Sequence, residues 1–323
     1  MTLSRTILRD PIAAFLALHP LLVLDGALAT ELERRGADLD DPLWSAKCLL
    51  ECPRLIKDVH ADYFRAGADV ATTATYQATF ETLARRGIGR DAARQLLCDA
   101  IALAVAARDE FWAVAQNRIA RSRPLIAASV GPYGAMLADG SEYRGHYALD
   151  AAALADFHRP RLAVLAGAGA DLLAFETIPC LREARVLAQL LQEFPGVCAW
   201  LSFSCQDGAH NCAGEPIGAC AAQLQEYAQI VALGVNCTPP QYVASLLGRM
   251  RAATSKPLVA YPNSGEHYAA AAKRWSGRRA AGEFGDQARI WYAAGARLIG
   301  GCCRTGPSDI RSVKQCVHPE PSA

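Results

Sequence analysis

The chain has 323 residues, of which 52% are hydrophobic, and its formal net charge is +1. This is enough apolar sequence for one large α/β domain or two smaller ones. The near balance of 33 basic and 32 acidic residues excludes an obvious nucleic-acid footprint, and no apolar run reaches the roughly 18 to 20 residues that span a membrane.

The first element in chain order is a short apolar stretch over residues 12–18. It could imitate the core of a signal peptide, but His19 and Pro20 interrupt it and no small-residue cleavage site follows. We therefore predict a short N-terminal helical extension over residues 1–20.

Eight short apolar runs then alternate with longer stretches of helical character. The runs cover residues 21–25, 68–74, 125–130, 171–176, 198–204, 230–236, 257–261 and 296–301. Continuous apolar strands separated by helices indicate a parallel sheet that is covered on its outside. Eight such units in about 300 residues predict an α/β fold, a single (β/α)8 TIM barrel.

A doubly wound sheet is the alternative, but no glycine-rich phosphate motif follows the first strand. Because no linker or break in composition interrupts the chain, we expect one domain over residues 1–323, with a C-terminal tail over 311–323. The twelve cysteines are scattered without framework spacing, which fits a reducing cytoplasm.

Cysteines end two of the predicted strands. Cys237 follows strand six, and Cys302 and Cys303 follow strand eight. In a barrel all strands end at one mouth, where active sites lie, so the three thiols would meet across strand seven.

Three thiolates can hold one Zn²⁺ per chain and leave its fourth position free, as in catalytic zinc sites. A metal-bound thiol is deprotonated, so the free position suits a substrate thiol. Three thiolates give the centre one net negative charge, which keeps a fourth thiolate nucleophilic. The reaction that fits is S-alkylation of a thiol by an activated methyl group.

Other interpretations of the cysteines stay open at this stage. Each could be a small core residue, and a disulfide between Cys302 and Cys303 would be strained. Cys48 and Cys52 have helical i,i+4 spacing but no second pair to complete a metal site.

Two carboxylates, Asp25 and Glu176, end predicted strands without an adjacent basic residue. They could act as an acid and a base or as a clamp for an ammonium group, and an amino-acid substrate favours the clamp. Glu176 ends an apolar run, where a charge is costly without a partner. Asp25 could instead be only a turn residue before Gly26.

Aromatic faces at the mouth would attract a sulfonium or quaternary ammonium donor. The candidates are Trp44, Tyr76, Tyr133, Tyr143, Phe203 and Trp275. Residues 139–145 could form a lid, Gly300 and Gly301 allow close backbone approach, and His210 and His267 are the two histidines on mouth loops.

Motifs along nearly the whole chain resemble the homocysteine S-methyltransferase family. Asn236-Cys237 and Gly300-Gly301-Cys302-Cys303 resemble its zinc signature. The other matching segments are residues 24–33, 43–46, 75–78, 129–134, 137–145, 176–177 and 261–266. The stretch 129–145 resembles the branch that uses S-methylmethionine, less well S-adenosylmethionine, and not the betaine-using branch.

The resemblance implies a (β/α)8 barrel with one Zn²⁺ that forms methionine from homocysteine. It implies zinc ligation, and through it catalysis, by Cys237, Cys302 and Cys303. It also implies homocysteine contacts from Asp25 and Glu176, with Thr73, Tyr76, Ser202 and Asn236 as further substrate-binding candidates. The expected partners are small molecules only, homocysteine and a sulfonium donor, with no nucleic acid or membrane, and the chain would be a monomer or small homo-oligomer.

One segment departs from the family pattern. Cys212 and Ala213 stand where the branch usually has Ser and Asp, which puts a substrate role of the 207–214 loop in doubt. The alternatives are selenohomocysteine or selenocysteine as the acceptor, a non-catalytic thiol redox sensor that uses the vicinal cysteines, and a zinc hydrolase, for which three thiolates are a poor ligand set. An alternate zinc ligand in the substrate-free state also stays open.

Overall fold

The structure, a computed structural model, describes residues 8–41, 43–269, 274–276 and 284–317, of which 267–269, 274–276 and 317 are described for the backbone alone. The strands are β1 Leu22–Val23, β2 Val70–Thr72, β3 Leu125–Val130, β4 Leu172–Ile178, β5 Ala199–Phe203, β6 Ile230–Asn236, β7 Leu258–Tyr261, β8 His267–Ala269, β9 Arg274–Ser276 and β10 Ala296–Ile299. The helices are α1 Pro11–Leu16, α2 Leu28–Arg34, α3 Lys47–Glu51, α4 Pro53–Ala66, α5 Phe80–Arg85, α6 Arg90–Ala113, α7 Tyr133–Leu137, α8 Ala151–Leu165, α9 Leu181–Leu191, α10 Ile217–Leu224, α11 Pro240–Arg251, α12 Phe284–Ala293 and α13 Pro307–Val317.

Eight of these strands form one parallel sheet in the order β1-β10-β7-β6-β5-β4-β3-β2. Each falls within or overlaps a predicted apolar run, so the predicted (β/α)8 barrel is confirmed. β8 and β9 form a separate antiparallel hairpin after β7, which the sequence analysis did not predict.

The two edge strands of the sheet, β1 and β2, are joined by a few individual hydrogen bonds and not by a regular ladder, and these bonds close the barrel. The Asp69 N–H donates to the Val23 carbonyl at 2.6 Å. Above it, the Asp25 side chain accepts from the Thr72 N–H at 2.7 Å and from its hydroxyl at 3.0 Å. A carboxylate therefore takes the place of a backbone acceptor at this seam.

Two layers of apolar side chains surround the strands, because neighbouring residues on a strand point to opposite faces. Leu22, Ala174 and Trp200 point into the barrel and share one cluster, whereas Val23, Phe175 and Leu201 pack outward against the helices. The continuous apolar runs arise because both faces of each strand are buried.

Two terminal helices complete the barrel. α1 lies within the predicted N-terminal extension and places Ile12 and Phe15 against the interior cluster at the amino-terminal end of the strands. α13 packs on α12 and α4 and buries Ile310 and Val313 completely. Residues 311–317 of the predicted tail therefore belong to a packed helix.

Candidate metal centre and substrate cavity

The three cysteines at the ends of β6 and β10 converge at the mouth of the barrel. The Sγ atoms of Cys237, Cys302 and Cys303 all lie within 4.8 Å of one another, and those of Cys237 and Cys303 are 3.5 Å apart. Backbone bonds across β7 fix both segments. Cys237 N–H donates to the Tyr261 carbonyl at 3.2 Å, and Cys302 N–H donates to the Pro262 carbonyl at 2.8 Å.

Glycine is required where the chain turns into the cysteine pair. A Cβ on Gly301 would lie 2.2 Å from the Thr305 hydroxyl, which itself donates to the Cys302 carbonyl at 2.6 Å. A Cβ on Gly300 would lie 2.5 Å from that of Leu24. The close backbone approach predicted for these two glycines is confirmed.

The cluster fits a zinc ion. Two thiolates on one tetrahedral Zn²⁺, with Zn–S bonds of about 2.3 Å, lie about 3.8 Å apart, and the 3.5 Å between the Cys237 and Cys303 Sγ atoms is close to this spacing. Cys237 is buried, while Cys302 and Cys303 are half-buried. The cluster therefore has an open side toward the cavity, as a catalytic metal site requires.

The three thiols differ in pKa. Hydrogen bonds with Cys237 and Cys303 hold the pKa of Cys302 well below its ordinary range. Hydrogen bonds to Cys302 and Cys303 hold the pKa of Cys237 well above it. Cys302 is thus the thiol that most readily presents a thiolate, the form that binds a metal.

A cavity of about 820 Å³ opens onto the cluster, in the range of pockets that hold a drug-sized ligand. All three cysteines line it. So do five of the six predicted substrate-binding residues: Asp25, Thr73, Tyr76, Glu176 and Asn236.

Asp25 and Glu176 are buried carboxyls in the wall of this cavity. Burial raises the pKa of Asp25 to about 7, against the hydrogen bonds from Thr72. Burial also raises the pKa of Glu176 to about 8, although Ser129 donates its hydroxyl to this carboxyl. The charge of Asp25 adds to the rise in the pKa of Glu176, and an incoming cation would favour the ionised form of both carboxyls.

Ser202 lies one layer behind the cavity wall. Its hydroxyl is buried and bonds the Asn236 Oδ1 at 2.8 Å and the Tyr261 hydroxyl at 2.6 Å. Asn236 in turn accepts from Thr177 N–H at 2.7 Å. This chain of bonds holds Thr177, whose φ of 61° is in the left-handed region, directly after Glu176. A direct substrate contact from Ser202 stays a prediction.

Of the aromatic candidates, Trp44, Tyr76 and Tyr143 line the cavity. The Trp44 and Tyr76 rings meet edge to face with centroids 6.1 Å apart. The Tyr143 hydroxyl lies 3.1 Å from the Cys237 Sγ. Tyr133 instead packs against Tyr147.

The remaining candidates do not reach the cavity wall. Phe203 is fully buried in the outer layer, and His210 is half-exposed and pairs with Asp207 at 3.0 Å. None of residues 207–214 lines the cavity. The side chains of His267 and Trp275 lie outside the described residues.

Three residues that shape the site were not predicted from the sequence. Tyr261 bonds Ser202 and the Trp200 indole. Arg161, on α8, is fully buried and donates to the carbonyls of Tyr76 and Gly131. Glu142 lines the cavity from within the predicted lid, where Ser141–Tyr143 form a 3-10 helix. Glu142 lies in the segment 137–145 that resembles the family, and its acidic side chain there could have marked it as a candidate site residue.

Comparisons with known proteins agree with this geometry. The family model for homocysteine S-methyltransferase matches residues 22–317. Homocysteine S-methyltransferase YbgG of Bacillus subtilis is 55% identical over 304 residues, covering 94% of this chain and 96% of that protein. Homocysteine S-methyltransferase of Escherichia coli is 49% identical over 307 residues, covering 94% and 98%.

A solved structure extends the likeness to three dimensions. The metallated form of the Escherichia coli homocysteine methyltransferase MmuM matches with a TM-score of 0.85 at 46% identity, covering 94% of this chain and 99% of that one. The chain is therefore a methyltransferase built on a (β/α)8 barrel. It belongs to the homocysteine S-methyltransferase family. No described helix is both long and apolar enough to cross a membrane.

Proposed function

We propose that this chain transfers a methyl group from S-methylmethionine, and less well from S-adenosylmethionine, to the thiol of L-homocysteine, forming methionine. The observation that carries the proposal is the meeting of three cysteine thiols with buried carboxyls and aromatic rings in one cavity. Family membership favours this reading over the redox sensor and the zinc hydrolase.

Cys237, Cys302 and Cys303 are the proposed ligands of one Zn²⁺. Bound there, zinc would supply a position at which a thiol is held as thiolate at neutral pH. These three residues are catalytic in our proposal through that role. The convergence of the three Sγ atoms within 4.8 Å of one another supports it.

Asp25 and Glu176 are the proposed partners of the homocysteine ammonium group. Both carboxyls are buried, and a charge-assisted hydrogen bond to an ammonium would offset the burial that now opposes their ionisation. Asp25 keeps its bonds to Thr72 and also lines the cavity. We assign Thr73 and Asn236 to supporting contacts, and Ser202 to holding Asn236.

The donor would lie beside the aromatic rings of Trp44, Tyr76 and Tyr143, whose faces attract a sulfonium. The homocysteine sulfur forms a bond to the methyl carbon while the bond from that carbon to the donor sulfur breaks. The electron pair of the broken bond stays on the donor sulfur, which leaves as a neutral thioether, and the thiol proton passes to solvent. No general acid is needed, so positioning supplies much of the acceleration.

The broader assignments are also proposals. We propose that residues 1–323 form one domain, that the enzyme works in the cytoplasm as a monomer or small homo-oligomer, and that its partners are these small molecules. A selenol acceptor handled by the same machinery is the nearest alternative.

The test uses one purified, reduced sample. Zinc content is measured by atomic absorption, and methionine formation is followed with homocysteine and S-methylmethionine, S-adenosylmethionine or betaine in parallel, and with selenohomocysteine as a second acceptor. Cys302→Ala is compared with Cys316→Ala, which changes a half-buried cysteine on α13.

We expect one zinc per chain and methionine with the sulfonium donors alone. Cys316→Ala should behave as the unchanged protein. Bound zinc with no methionine from any donor would overturn the proposed reaction and leave the metal site standing. A preference for the selenol at equal concentrations would move the acceptor assignment to selenium.

A further inference from the structure

Glu142 carries a carboxyl in the cavity wall that the proposed reaction leaves without a partner. Its Oε2 is buried and has no hydrogen-bond partner among the described residues. By contrast, Asp25 is bonded to Thr72, and Glu176 to Ser129. Burial raises the pKa of this carboxyl to about 7, and a cationic ligand that donates a hydrogen bond to it would satisfy the unpaired oxygen and favour its ionised form.

Close packing fixes the position of Glu142. A Cβ on Gly134 would lie 2.5 Å from the Glu142 backbone nitrogen, so the segment lies directly on α7. The Ser204 hydroxyl, after β5, donates to the Glu142 carbonyl at 2.9 Å. The backbone of Glu142 is therefore held in place before any ligand arrives.

Glu142 precedes Tyr143, whose hydroxyl lies 3.1 Å from the Cys237 Sγ, and Arg144 offsets only part of the effect of burial on the pKa of Glu142. The charges of both Glu142 and Cys237 act on the Tyr76 hydroxyl. The nearest arginine in sequence, Arg144, is exposed and pairs with Asp139 at 3.4 Å. Arg85, which also lines the cavity, directs its guanidinium to the sulfur of Met136 at 3.3 Å.

Acidic residues outnumber basic residues in the cavity wall. Of the described residues that line it, one is basic, Arg85, and six are acidic: Asp25, Glu33, Asp40, Asp41, Glu142 and Glu176. Asp25 lies close enough to Glu176 to raise its pKa, whereas Glu142 belongs to the separate lid segment. Glu142 could therefore bind a second cationic group, distinct from the homocysteine ammonium.

We propose that Glu142 accepts a hydrogen bond from the α-ammonium group of the methyl donor, and that it selects sulfonium donors that carry an α-amino acid group. This inference rests on the proposed function. A sulfonium has no N–H and cannot satisfy a carboxylate oxygen by hydrogen bonding, whereas an ammonium offers three donors. The sulfonium end would then lie by Tyr76 and Tyr143, next to the cysteines, and the ammonium end by Glu142.

The test is a double-mutant-type cycle, in which the Glu142 side chain and the ammonium group of the donor are changed separately and together. Glu142→Gln removes the charge at nearly constant size, and Glu142→Asp keeps the charge but withdraws it by one methylene. The ligand pair is S-methylmethionine and its N-acetyl derivative, which keeps the sulfonium and loses the ammonium. Glu226→Gln, at an exposed position after α10, is the matched control.

The donor kcat/KM and the KM of each substrate are measured for every combination at saturating co-substrate, and donor binding is followed by calorimetry without homocysteine. Circular dichroism and zinc content check that each variant is folded and loaded. For the unchanged enzyme and Glu226→Gln, N-acetylation should lower the donor kcat/KM by roughly 10- to 100-fold. For Glu142→Gln that penalty should largely vanish, and Glu142→Asp should fall between.

Two results would overturn the inference while leaving the proposed function intact. One is equal penalties for N-acetylation in the unchanged enzyme and in Glu142→Gln. The other is a rise in the KM of homocysteine and not of the donor, which would assign Glu142 to the acceptor. Failure of the unchanged enzyme to form methionine from S-methylmethionine would instead refute the proposed donor itself.

Discussion

His60 makes the stability of this barrel sensitive to acid. The residue lies on α4 and is fully buried, and neither ring nitrogen has a hydrogen-bond partner among the described residues. Burial lowers the pKa of His60 from its ordinary value of 6.5 to about 4, because the charged imidazolium would lose its hydration without gaining a partner.

The sign of the effect follows from proton uptake. Between pH 6.5 and about 4 the unfolded chain protonates this histidine and the folded chain does not, so unfolding takes up a proton and stability falls as the pH falls. His60 contributes nothing to this loss above pH 7. From pH 7 to pH 5 it should lower the free energy of unfolding by about 2 kcal/mol, and by about 3 kcal/mol once the pH is below both pKa values.

The assay compares His60→Leu with the unchanged chain by urea unfolding at pH 7 and pH 5, on reduced, metal-free protein so that loss of zinc does not contribute. Leucine is similar in size and has no nitrogen to leave unpaired, so stability at pH 7 should change little. At pH 5 the variant should be the more stable by about 2 kcal/mol. Carboxyls such as Asp25 and Glu176 also titrate in the folded state, but they cancel in the difference between the two proteins.

His146→Leu is the matched control, since His146 is exposed. Its stability difference from the unchanged chain should stay nearly constant between the two pH values. A pH-independent difference for His60→Leu would refute the reasoning, because it would mean that the folded protein protonates His60 as readily as the unfolded chain does.

Three further predictions concern the site. Cys302→Ala should remove zinc and activity together, and full activity without this thiol, measured beside metal content, would contradict the mechanism. Glu176→Ala should raise the KM of homocysteine by roughly 10- to 100-fold with zinc content unchanged, whereas loss of zinc would make Glu176 structural or a ligand. Gly134→Ala should displace the segment that carries Glu142 and raise the KM of the donor by about 10-fold or more, with the KM of homocysteine as the internal control; equal KM values for the donor would show that the segment adapts.

Local sequence patterns determined the barrel and the meeting of the cysteines. Apolar runs of strand length, separated by helical stretches, are local features of the sequence. The strands could therefore be predicted without knowledge of tertiary contacts. Once eight parallel strands were expected, their ends had to share one mouth. The positions of Cys237, Cys302 and Cys303 at strand ends then sufficed to predict a cluster, which the structure brings within 4.8 Å.

Tertiary structure decided which partner each polar side chain takes. Both carboxyl oxygens of Asp25 accept hydrogen bonds from Thr72 where β1 meets β2. The Ser202 hydroxyl donates to Asn236 behind the cavity wall. Glu142 has no partner for its Oε2 among the described residues. These hydrogen bonds connect residues that are 34 or more positions apart in the sequence. Tertiary packing therefore decides which of them form and which polar atoms have no partner. The sequence by itself therefore determined the fold and the meeting of the three cysteines, and only the folded chain shows which carboxyl oxygens already have a hydrogen-bond partner within the protein.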